Sequence, residues 1–495
     1  MARRRREQII AKTNRVSPEG QLSIAGRVKE AWEEAEHERG VAETRQRWHD
    51  MDLRDHERPT MPDKAPADLK KINETALTPN AKGIVDQLSQ QLRVEGIRLA
   101  DSSDNAPAWS DWMRNRMGSK QVPLVKAAFS HGLSYAAALP AQGRLDKKPT
   151  VAYRLRSALR MTAFYRDDFD EFPEFALDVD VVPNKEGPNE NYIILYDEDA
   201  EHHLSCPEGQ PSKLAYIDSF PHGMDLCPIQ RFGYMDLDGN ARGEIEPYMP
   251  LLQRIDQDTS DRLVLQRFAS WVVRTIAGMK KPDPEIEEAF AAWLSVGDFL
   301  MSESADTKFG SLPASPMDGH IRAREADIRD LAFTSQVPGY RMLGLSDNIG
   351  AEAIAAADAS LKRKMDEFKA VFGEQYESLV RLGGYAYGNE EIANDFTSRI
   401  VWAKTDAVDI QTMAQAITTL YSNGEGIPME MMWERLEGWT QQDTVEAERR
   451  RELIRQAKEM AAMLEAAVGR EGAQRGNDNV NEAGAGAPAG AGAAS

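Results

Sequence analysis

Apolar residues are sparse and widely spaced in the first 75 positions of the chain, where Arg and Glu dominate. Between residues 22 and 48, for example, Leu22, Ile24, Val28, Trp32, Val41 and Trp48 are widely spaced among charged residues. This spacing predicts a charged helical arm over residues 1–75 that is exposed or docks onto another part of an assembly. The segment ERPTMPDKAP (57–66) contains three prolines and predicts a linker to the first compact domain.

The next 160 residues change from a helical period to a period of two. From Asn80 to about Leu139 the apolar residues recur every three or four positions, which predicts helix. Between residues 150 and 235 the alternation predicts short strands separated by turns, namely FALDVDVV (175–182), NYIILY (191–196) and KLAYI (213–217). We therefore predict an α+β region with a small, largely antiparallel sheet.

The second half of the chain is predicted to be mainly helical. Pro250 suits a first helical turn, and no Gly or Pro follows until Gly278, which predicts a continuous helix of roughly 40 Å. The remaining elements follow in this order: an insert at 281–317, a charged helix at 318–336, a loop at 337–349, a long helix from Ala351, a strand in FTSRIVW (396–402), helices at 406–470 and a disordered Gly/Ala-rich tail at 471–495. The helix from Ala351 has an apolar stripe that repeats every three or four residues, formed by Ile354, Leu361, Met365, Phe368, Phe372, Tyr376 and Leu379.

Composition narrows the class of protein. The 495 residues include 41% hydrophobic and 28% charged positions, and the formal net charge is −20, which indicates a soluble protein with a charged surface. The negative charge argues against a general nucleic-acid binder, although it allows a protein that touches DNA without holding it. No apolar stretch reaches membrane-spanning length, no signal peptide is predicted, and two cysteines indicate a reducing compartment.

The stretch DLDGNARGEIE (236–246) superficially resembles a calcium loop. Asp236, Asp238 and Asn240 stand at alternate positions, as ligands would. However, Ala241 occupies the position that needs Gly and Pro247 the position that needs a bidentate Glu. A hairpin turn is the better interpretation.

The remaining candidate chemistry is weak. Three histidines and both cysteines (His202, His203, Cys206, His222 and Cys227) lack paired zinc-ligand spacing, which favours surface histidines and small buried thiols over a metal site. The acidic stretch 167–201 is typical of a solvated face, and no nucleotide-binding or hydrolase motif occurs. We predict no catalytic, cofactor or metal residues, and no enzyme.

The order of elements and several long segments resemble the portal protein family of tailed bacteriophages, in particular its actinobacteriophage branch. The segments that carry the resemblance are PNAKGIVDQLSQQLRVEGIRL (79–99), FSHGLSYAAAL (129–139), the stretch from HGMDLCPIQRF to LQRFASW (222–271), and VPGYRMLGLSDNIGAEAIAAADASLKRKMDEFKAVFG (337–373). The resemblance covers roughly residues 75–440.

The resemblance implies a homo-oligomeric ring, usually of twelve subunits, at one capsid vertex of the virion. Double-stranded DNA is packaged through such a ring by the terminase large subunit and later ejected. The ring also joins head to tail, contacts the major capsid protein, scaffold and adaptor, and nucleates capsid assembly in the host cytoplasm. The implied domains are a wing (76–247), stem helix 1 (248–280), a clip (281–317), stem helix 2 (318–336), a tunnel loop (337–349), a wing helix and strand (350–405) and a crown (406–470).

The resemblance also assigns roles to two sets of residues. The tunnel loop would project Val337, Pro338, Gly339, Tyr340, Arg341, Met342, Leu343, Asp347 and Asn348 into the channel. Charges on the two stem helices would pair between subunits, through Arg254, Asp258, Arg262, Arg322, Arg324, Glu325 and Arg329. By sequence alone, the loop is equally consistent with an ordinary helix–helix connection packed in a core.

Two alternative functions remain open at this point. Another virion component, such as a minor head or head–tail adaptor protein, would also be acidic, helical and without catalytic motifs. A monomeric enzyme would be expected to have a pocket of perturbed carboxylates or histidines.

Overall fold

The computed structural model describes residues 17–61, 67–99, 106–143, 147–167, 170–184, 188–269, 274–277, 308–311, 317–344, 351–403 and 446–463. The chain divides into two compact units. The first comprises Met1–Arg93 with Met113–Asp395, and the second comprises Val94–Trp112 with Phe396–Ser495.

The described helices are numbered here in chain order. They are α1 Pro18–Asp50, α2 Ala67–Thr75, α3 Asn80–Ser89, α4 Trp109–Arg114, α5 Met117–His131, α6 Met249–Ala269, α7 Asp318–Ser335, α8 Gly339–Leu343, α9 Ala351–Tyr387, α10 Glu390–Ala393 and α11 446–463. None of these helices is long and apolar enough to cross a membrane.

The described strands are likewise numbered in chain order. They are β1 Val94–Arg98, β2 Ser134–Gln142, β3 Pro149–Ser157, β4 Met161–Phe164, β5 Phe175–Val182, β6 Glu190–Tyr196, β7 Ala200–Pro207, β8 Ala215–Pro221, β9 Ile229–Phe232, β10 Arg274–Ala277, β11 Lys308–Ser311 and β12 Arg399–Trp402. The predicted strands at 175–182 and 191–196 are confirmed, and the chain is α+β, as expected.

Two antiparallel sheets form the centre of the first unit. One has the strand order β4-β5-β6-β7-β8 and the other the order β3-β2-β9. Side chains of both sheets share a hydrophobic cluster that includes Tyr135, Met161, Tyr196 and Ile229. This cluster joins the sheets into one core. The antiparallel region therefore contains two sheets, whereas the sequence pattern predicted one small sheet.

Helix α1 covers the other face of the five-stranded sheet. Ser17 caps its N-terminus, and its side chain accepts a hydrogen bond from the backbone N–H of Gly20 (3.2 Å). Val28 and Trp32 of α1 are buried against Leu177 and Leu195 of the sheet. The prediction of an exposed or assembly-docked arm was therefore wrong for this helix, because its widely spaced apolar residues bury a narrow stripe against the chain's own sheet.

The apolar run SYAAAL (134–139) is a strand, although its spacing predicted helix. Gly132 takes a φ of +96° and ends α5, after which β2 pairs with both β3 and β9. A central strand that is buried on both faces has no alternation of polar and apolar residues, so its pattern cannot be distinguished from that of a buried helix.

The helix predicted to continue to Gly278 ends at Ala269 in the described residues. Residues 274–277 form β10, which pairs antiparallel with β11. Thr275 and Ile276 are β-branched and favour an extended backbone, which explains the change. The longest described helix is α9, with 37 residues. In its predicted apolar stripe Ile354 is half-buried, and the other six residues are buried, namely Leu361, Met365, Phe368, Phe372, Tyr376 and Leu379.

The second unit is described in part. Its strands β1 and β12 pair antiparallel, with Ile97 opposite Ile400, which confirms the strand predicted in FTSRIVW. The Ala106 backbone N–H donates to the Ile97 carbonyl (2.7 Å), and the rings of Trp109 and Trp112 stack with their centroids 6.0 Å apart. Of the predicted helices at 406–470, residues 446–463 are described, and they are helical.

Replacing Trp32 by Ala tests the docking of α1. Trp32 is 3% exposed, so the truncation should leave a cavity and lower the free energy of unfolding by about 3–5 kcal/mol, measured by denaturant titration. Leu22→Ala on the same helix is the control, because Leu22 is 74% exposed and its loss should cost less than about 0.5 kcal/mol. Equal, small effects of both substitutions would show that α1 does not dock in solution.

Candidate functional site

Helices α6 and α7 form an antiparallel hairpin whose contacts lie within one chain. Arg254 of α6 donates to the carboxylates of Asp327 (2.7 Å) and Asp330 (3.5 Å) of α7. One turn further along α6, the Arg324 Nε donates to the Thr259 hydroxyl (3.1 Å). Leu252, Ile255, Ile328, Leu331 and Ala332 are buried along the hairpin.

A neighbouring side of α6 is buried against the segment that leads into α3. One carboxylate oxygen of Asp256 accepts hydrogen bonds from the backbone N–H (2.9 Å) and hydroxyl (2.7 Å) of Thr78. The Ser260 hydroxyl donates to the Asn73 side-chain oxygen (2.8 Å). Because α6 buries two faces and lines them with polar groups, its sequence has no single wide apolar stripe.

Buried Arg45 of α1 fixes the point at which the chain enters α6. Its guanidinium donates to the carbonyls of His131 (2.8 Å) and Ala241 (3.0 Å) and to the carboxylate of Glu246 (3.0 Å). The His131 carbonyl lies at the C-terminus of α5, where a cation is favoured. At Gly132 a Cβ would lie 2.3 Å from Arg45 Nη1, so only glycine leaves room for this contact.

A second ionic contact ties the same junction to the end of α7. The Lys364 ammonium group of α9 pairs with Glu244 and donates to the carbonyl of Ser335 (3.0 Å). The Tyr248 hydroxyl donates to the same Glu244 carboxylate (3.0 Å). The start of α6 and the end of α7 are therefore held at fixed positions next to α9.

The predicted tunnel loop begins as ordered structure. Val337 is 1% exposed, and residues 339–343 form the short helix α8, which packs on α7 and ends at Gly344 with a φ of +66°. Met342 and Leu343 are partly exposed, whereas Asp347 and Asn348 lie outside the described residues. The first half of this segment is therefore packed at Val337 and exposed at Arg341 and Gly344, and its projection into a channel remains a prediction.

Arg341 and Tyr340 tie α8 to α9. Arg341 Nη2 donates to an Asp358 carboxylate oxygen (2.9 Å), Arg341 Nε donates to the Tyr340 hydroxyl (2.9 Å), and that hydroxyl donates to Asp358 (3.0 Å). Arg341 Nη1 also donates to the Gln87 side-chain oxygen (3.2 Å). All three guanidinium nitrogens therefore have acceptors.

The other predicted stem residues differ in their surroundings. Arg322 is exposed, and Arg329 pairs with Glu325 one turn away (3.3 Å). Burial and the neighbouring Asp327 carboxylate raise the pKa of Asp258. Arg254 and Arg324 bond within the chain, and the proposed pairing between subunits remains a prediction for this set as a whole.

A cavity of about 530 Å³ lies on the five-stranded sheet. Its lining includes Arg154, Tyr192, Glu201, His203 and Phe220. Burial raises the pKa of Glu201, and this effect is opposed by Arg154, which donates to its carboxylate (3.2 Å). The Tyr192 hydroxyl bonds with His203 Nδ1, so these four side chains of the cavity form two pairs.

Three smaller predictions concern the turn regions. The hairpin interpretation of 236–246 is confirmed, because Met235 bridges Ala241 and the Asp236 carboxylate accepts the Asn240 backbone N–H (2.9 Å). Both thiols are buried, as predicted, but His202 is buried rather than on the surface, and it bonds to Asp197 (3.1 Å). Within the described part of the chain, no group of three or more metal-ligating side chains comes together.

Several residues that organise this region could not be predicted from the sequence. Arg45, Glu244, Asp256 and Asp358 act through partners that are 17 to 201 positions away. Their types and spacing alone carry no signal, because an isolated charged residue is usually exposed to solvent.

Comparison with known proteins identifies the family. The family model described as "Phage portal protein, SPP1 Gp6-like" matches residues 30–468. The portal protein of Mycobacterium phage D29 is 25% identical over 362 residues, which are 69% of this chain and 72% of the relative. The portal protein of Mycobacterium phage L5 is 24% identical with the same coverage. The resemblance inferred from the sequence, including its actinobacteriophage branch, is confirmed.

Solved structures give a weaker likeness. A chain from the virion of a native gene transfer agent particle matches with a TM-score of 0.42 and 14% identity, over 74% of this chain and 92% of that one. A chain from the neck of the native particle, computed with C12 symmetry, gives a TM-score of 0.42 and 13% identity over 75% and 92%. These values are too low to support an argument.

Replacing Asp256 by Asn tests the buried polar face of α6. Burial raises the pKa of Asp256 to about 6, and the Thr78 hydrogen bonds only partly oppose this, so the folded state binds the proton more tightly than the unfolded state. The resulting cost is absent below pH 4 and complete above pH 6. Asparagine keeps an oxygen acceptor for Thr78 without the charge, and it should raise the free energy of unfolding at pH 7.5 by about 2–3 kcal/mol.

The measurement is denaturant unfolding of both proteins between pH 4.5 and 8. The stabilisation by Asp256→Asn should shrink as the pH falls. Asp261→Asn, at an exposed position of the same helix, is the control and should change the free energy of unfolding by less than about 0.5 kcal/mol at each pH. A destabilised Asp256→Asn protein at pH 7.5 would contradict the account.

Proposed function

The chain belongs to the SPP1 Gp6-like family of phage portal proteins, and from this premise we propose that it forms the ring at one capsid vertex through which double-stranded DNA enters and leaves. The observation that carries the proposal is the family match, which spans residues 30–468 of 495. Both mycobacteriophage relatives are portal proteins, so the alternative of a different virion component has no support among them.

The hairpin of α6 and α7 is the proposed stem of the ring. Its core is completed within one chain, so a subunit can fold before it assembles. The face of α7 that points away from α6 carries Arg322, Ala326, Arg329 and Phe333, which are exposed and spaced by three or four residues. Phe333 is 87% exposed. We assign this face to the contact with a neighbouring copy.

Closure of a ring requires each subunit to present two different faces. Heterologous contacts repeat head to tail until the rotation closes, and an exposed aromatic side chain flanked by charges is typical of such contacts. Arg329 supplies charge one turn from Phe333, and Arg322 lies further along the same face. Exposed charge pairs fix register more than they add affinity. Twelve copies is the number that family membership predicts.

The segment 337–344 is the proposed start of the tunnel loop. Helix α8 follows the end of the stem. Lys364 of α9 holds the Ser335 carbonyl that ends α7, and Asp358 of α9 bonds to Tyr340 and Arg341 of α8. A constriction that slides along DNA must keep its position under load, and these contacts supply that rigidity. The net charge of −20 keeps the affinity for phosphate low, which suits passage rather than retention.

The proposed partners follow from this role. They are a terminase large subunit at the clip, the major capsid protein and scaffold around the wing, and an adaptor that continues into the tail. The proposed clip lies mostly outside the described residues, which include its strand β11. A metal ion, a cofactor or catalysis plays no part in the proposal.

Replacing Phe333 by Asp tests the proposed stem contact. The wild-type protein should form a ring with a mass about twelve times the 55.2 kDa of one chain, measured by size-exclusion chromatography with light scattering. Because Phe333 is exposed in the isolated chain, the variant should keep the wild-type melting temperature of the subunit but lose the ring.

Leu237→Asp is the matched control. Leu237 is 91% exposed at the tip of the 236–240 turn, and the same change of charge there should leave the ring intact. A Phe333→Asp protein that assembles like the control would remove α7 from the subunit interface.

A further inference from the structure

The cation closest to the proposed constriction is already neutralised within the chain. Arg341 belongs to α8, and its side chain is 32% exposed, so the solvent reaches it. Asp358 binds its Nη2 (2.9 Å), the Tyr340 hydroxyl accepts from its Nε (2.9 Å), and Gln87 accepts from its Nη1 (3.2 Å). The Tyr340 hydroxyl closes the set by donating to Asp358 (3.0 Å).

The chemistry of this arrangement matches that of a phosphate contact. A guanidinium binds carboxylate and phosphate oxygens through the same fork of N–H donors. The Asp358 oxygen therefore takes a position on Arg341 that a DNA phosphate oxygen would otherwise take. A partly exposed arginine without such a partner would bind passing phosphates, and each contact would release counterions.

We propose that Asp358 acts as an internal substitute for phosphate, which keeps Arg341 from binding the DNA backbone and so lowers the resistance to DNA movement. The inference rests on the proposed function, since it requires α8 to face the channel. Asp358 is a positioning residue in this account, and Tyr340 supports it by bonding to both members of the pair. Repetition around a ring would multiply the effect of each neutralised arginine.

A purely structural clamp is the competing explanation. Tyr340, Arg341 and Asp358 join α8 to α9, and loss of this contact would loosen the segment whether or not DNA is near. The two explanations differ in the role of the freed arginine. A structural clamp predicts that removing Arg341 or Asp358 has the same effect on DNA affinity. Phosphate substitution predicts that removing the Asp358 charge raises the DNA affinity, whereas removing Arg341 leaves it unchanged.

The test measures the affinity of the purified full-length ring for a fluorescein-labelled duplex DNA as a function of NaCl concentration. Asp358→Asn keeps the shape of the side chain and removes its charge. It should bind DNA about tenfold more tightly at 0.1 M salt, and the slope of log affinity against log salt should steepen by about one for each new phosphate contact. Arg341→Gln alone should bind DNA like the wild type.

The double variant Arg341→Gln with Asp358→Asn decides between the explanations. It should return to wild-type affinity and slope, because no guanidinium remains to contact phosphate. Asp366→Asn, at an exposed position of α9, controls for the loss of one negative charge and should leave the slope unchanged. A double variant that still binds tightly, or an Asp358→Asn ring with wild-type affinity, would overturn the inference.

Light scattering on the same samples separates this inference from the proposed function. A wild-type protein that forms no ring would refute the proposed function, whatever its affinity for DNA. An intact Asp358→Asn ring without a change in DNA affinity would refute only the role of Asp358. If Asp358→Asn fails to assemble, Tyr340→Phe removes the bridging hydroxyl and should shift the affinity in the same direction by a smaller factor, and no shift would count against the inference.

Discussion

The buried guanidinium of Arg45 sets the geometry on which the rest of the first unit depends. It donates to carbonyls at the end of α5 and in the loop before α6, and it pairs with Glu246 just before that helix. An unpaired buried cation would be costly, so these acceptors can hardly move apart once the chain has folded. The contact ties α1, which lies on the five-stranded sheet, to the first turn of the proposed stem.

The Lys364 contacts extend this constraint to the end of α7. Lys364 bonds to Glu244 in the loop before α6 and to the Ser335 carbonyl that ends α7, so one residue of α9 holds both chain segments at the base of the hairpin. In the proposed ring, force on the stem would pass through this point to the two sheets. Helix α8 begins four residues after the end of α7, so the contacts that hold the end of α7 also restrict where α8 can lie.

Sequence patterns predicted the elements whose periodicity is strong. The alternation at 175–182 and the apolar stripe of α9 are properties of single segments, and the structure has both as predicted. Patterns were insufficient where a neighbouring strand or sheet determined the secondary structure or the burial of a segment. SYAAAL became a strand because β3 and β9 flank it, and α1 is buried because a sheet lies beneath its narrow stripe.

The candidate site was likewise predicted only in part from the sequence. The order of elements and the resemblance to the portal family predicted a tunnel loop between α7 and α9. The family match supports the resemblance, and the role of the loop remains a prediction. The sequence did not indicate that Arg341 would be bound by Asp358, 17 positions later, or that Arg254 would be satisfied within its own chain. Such pairings depend on helix rotation and packing, which a charge pattern does not specify.

The central claim is that these chains form a ring whose channel is lined by α8. Cryo-electron microscopy of the purified full-length oligomer tests it most directly, because it reports symmetry, the width of any channel and the elements that line it. The account predicts a cyclic ring with a channel wide enough for duplex DNA, about 20 Å across, and with residues 337–344 on its inner wall. An oligomer without a channel, or a ring with α8 on its outer surface, would contradict it.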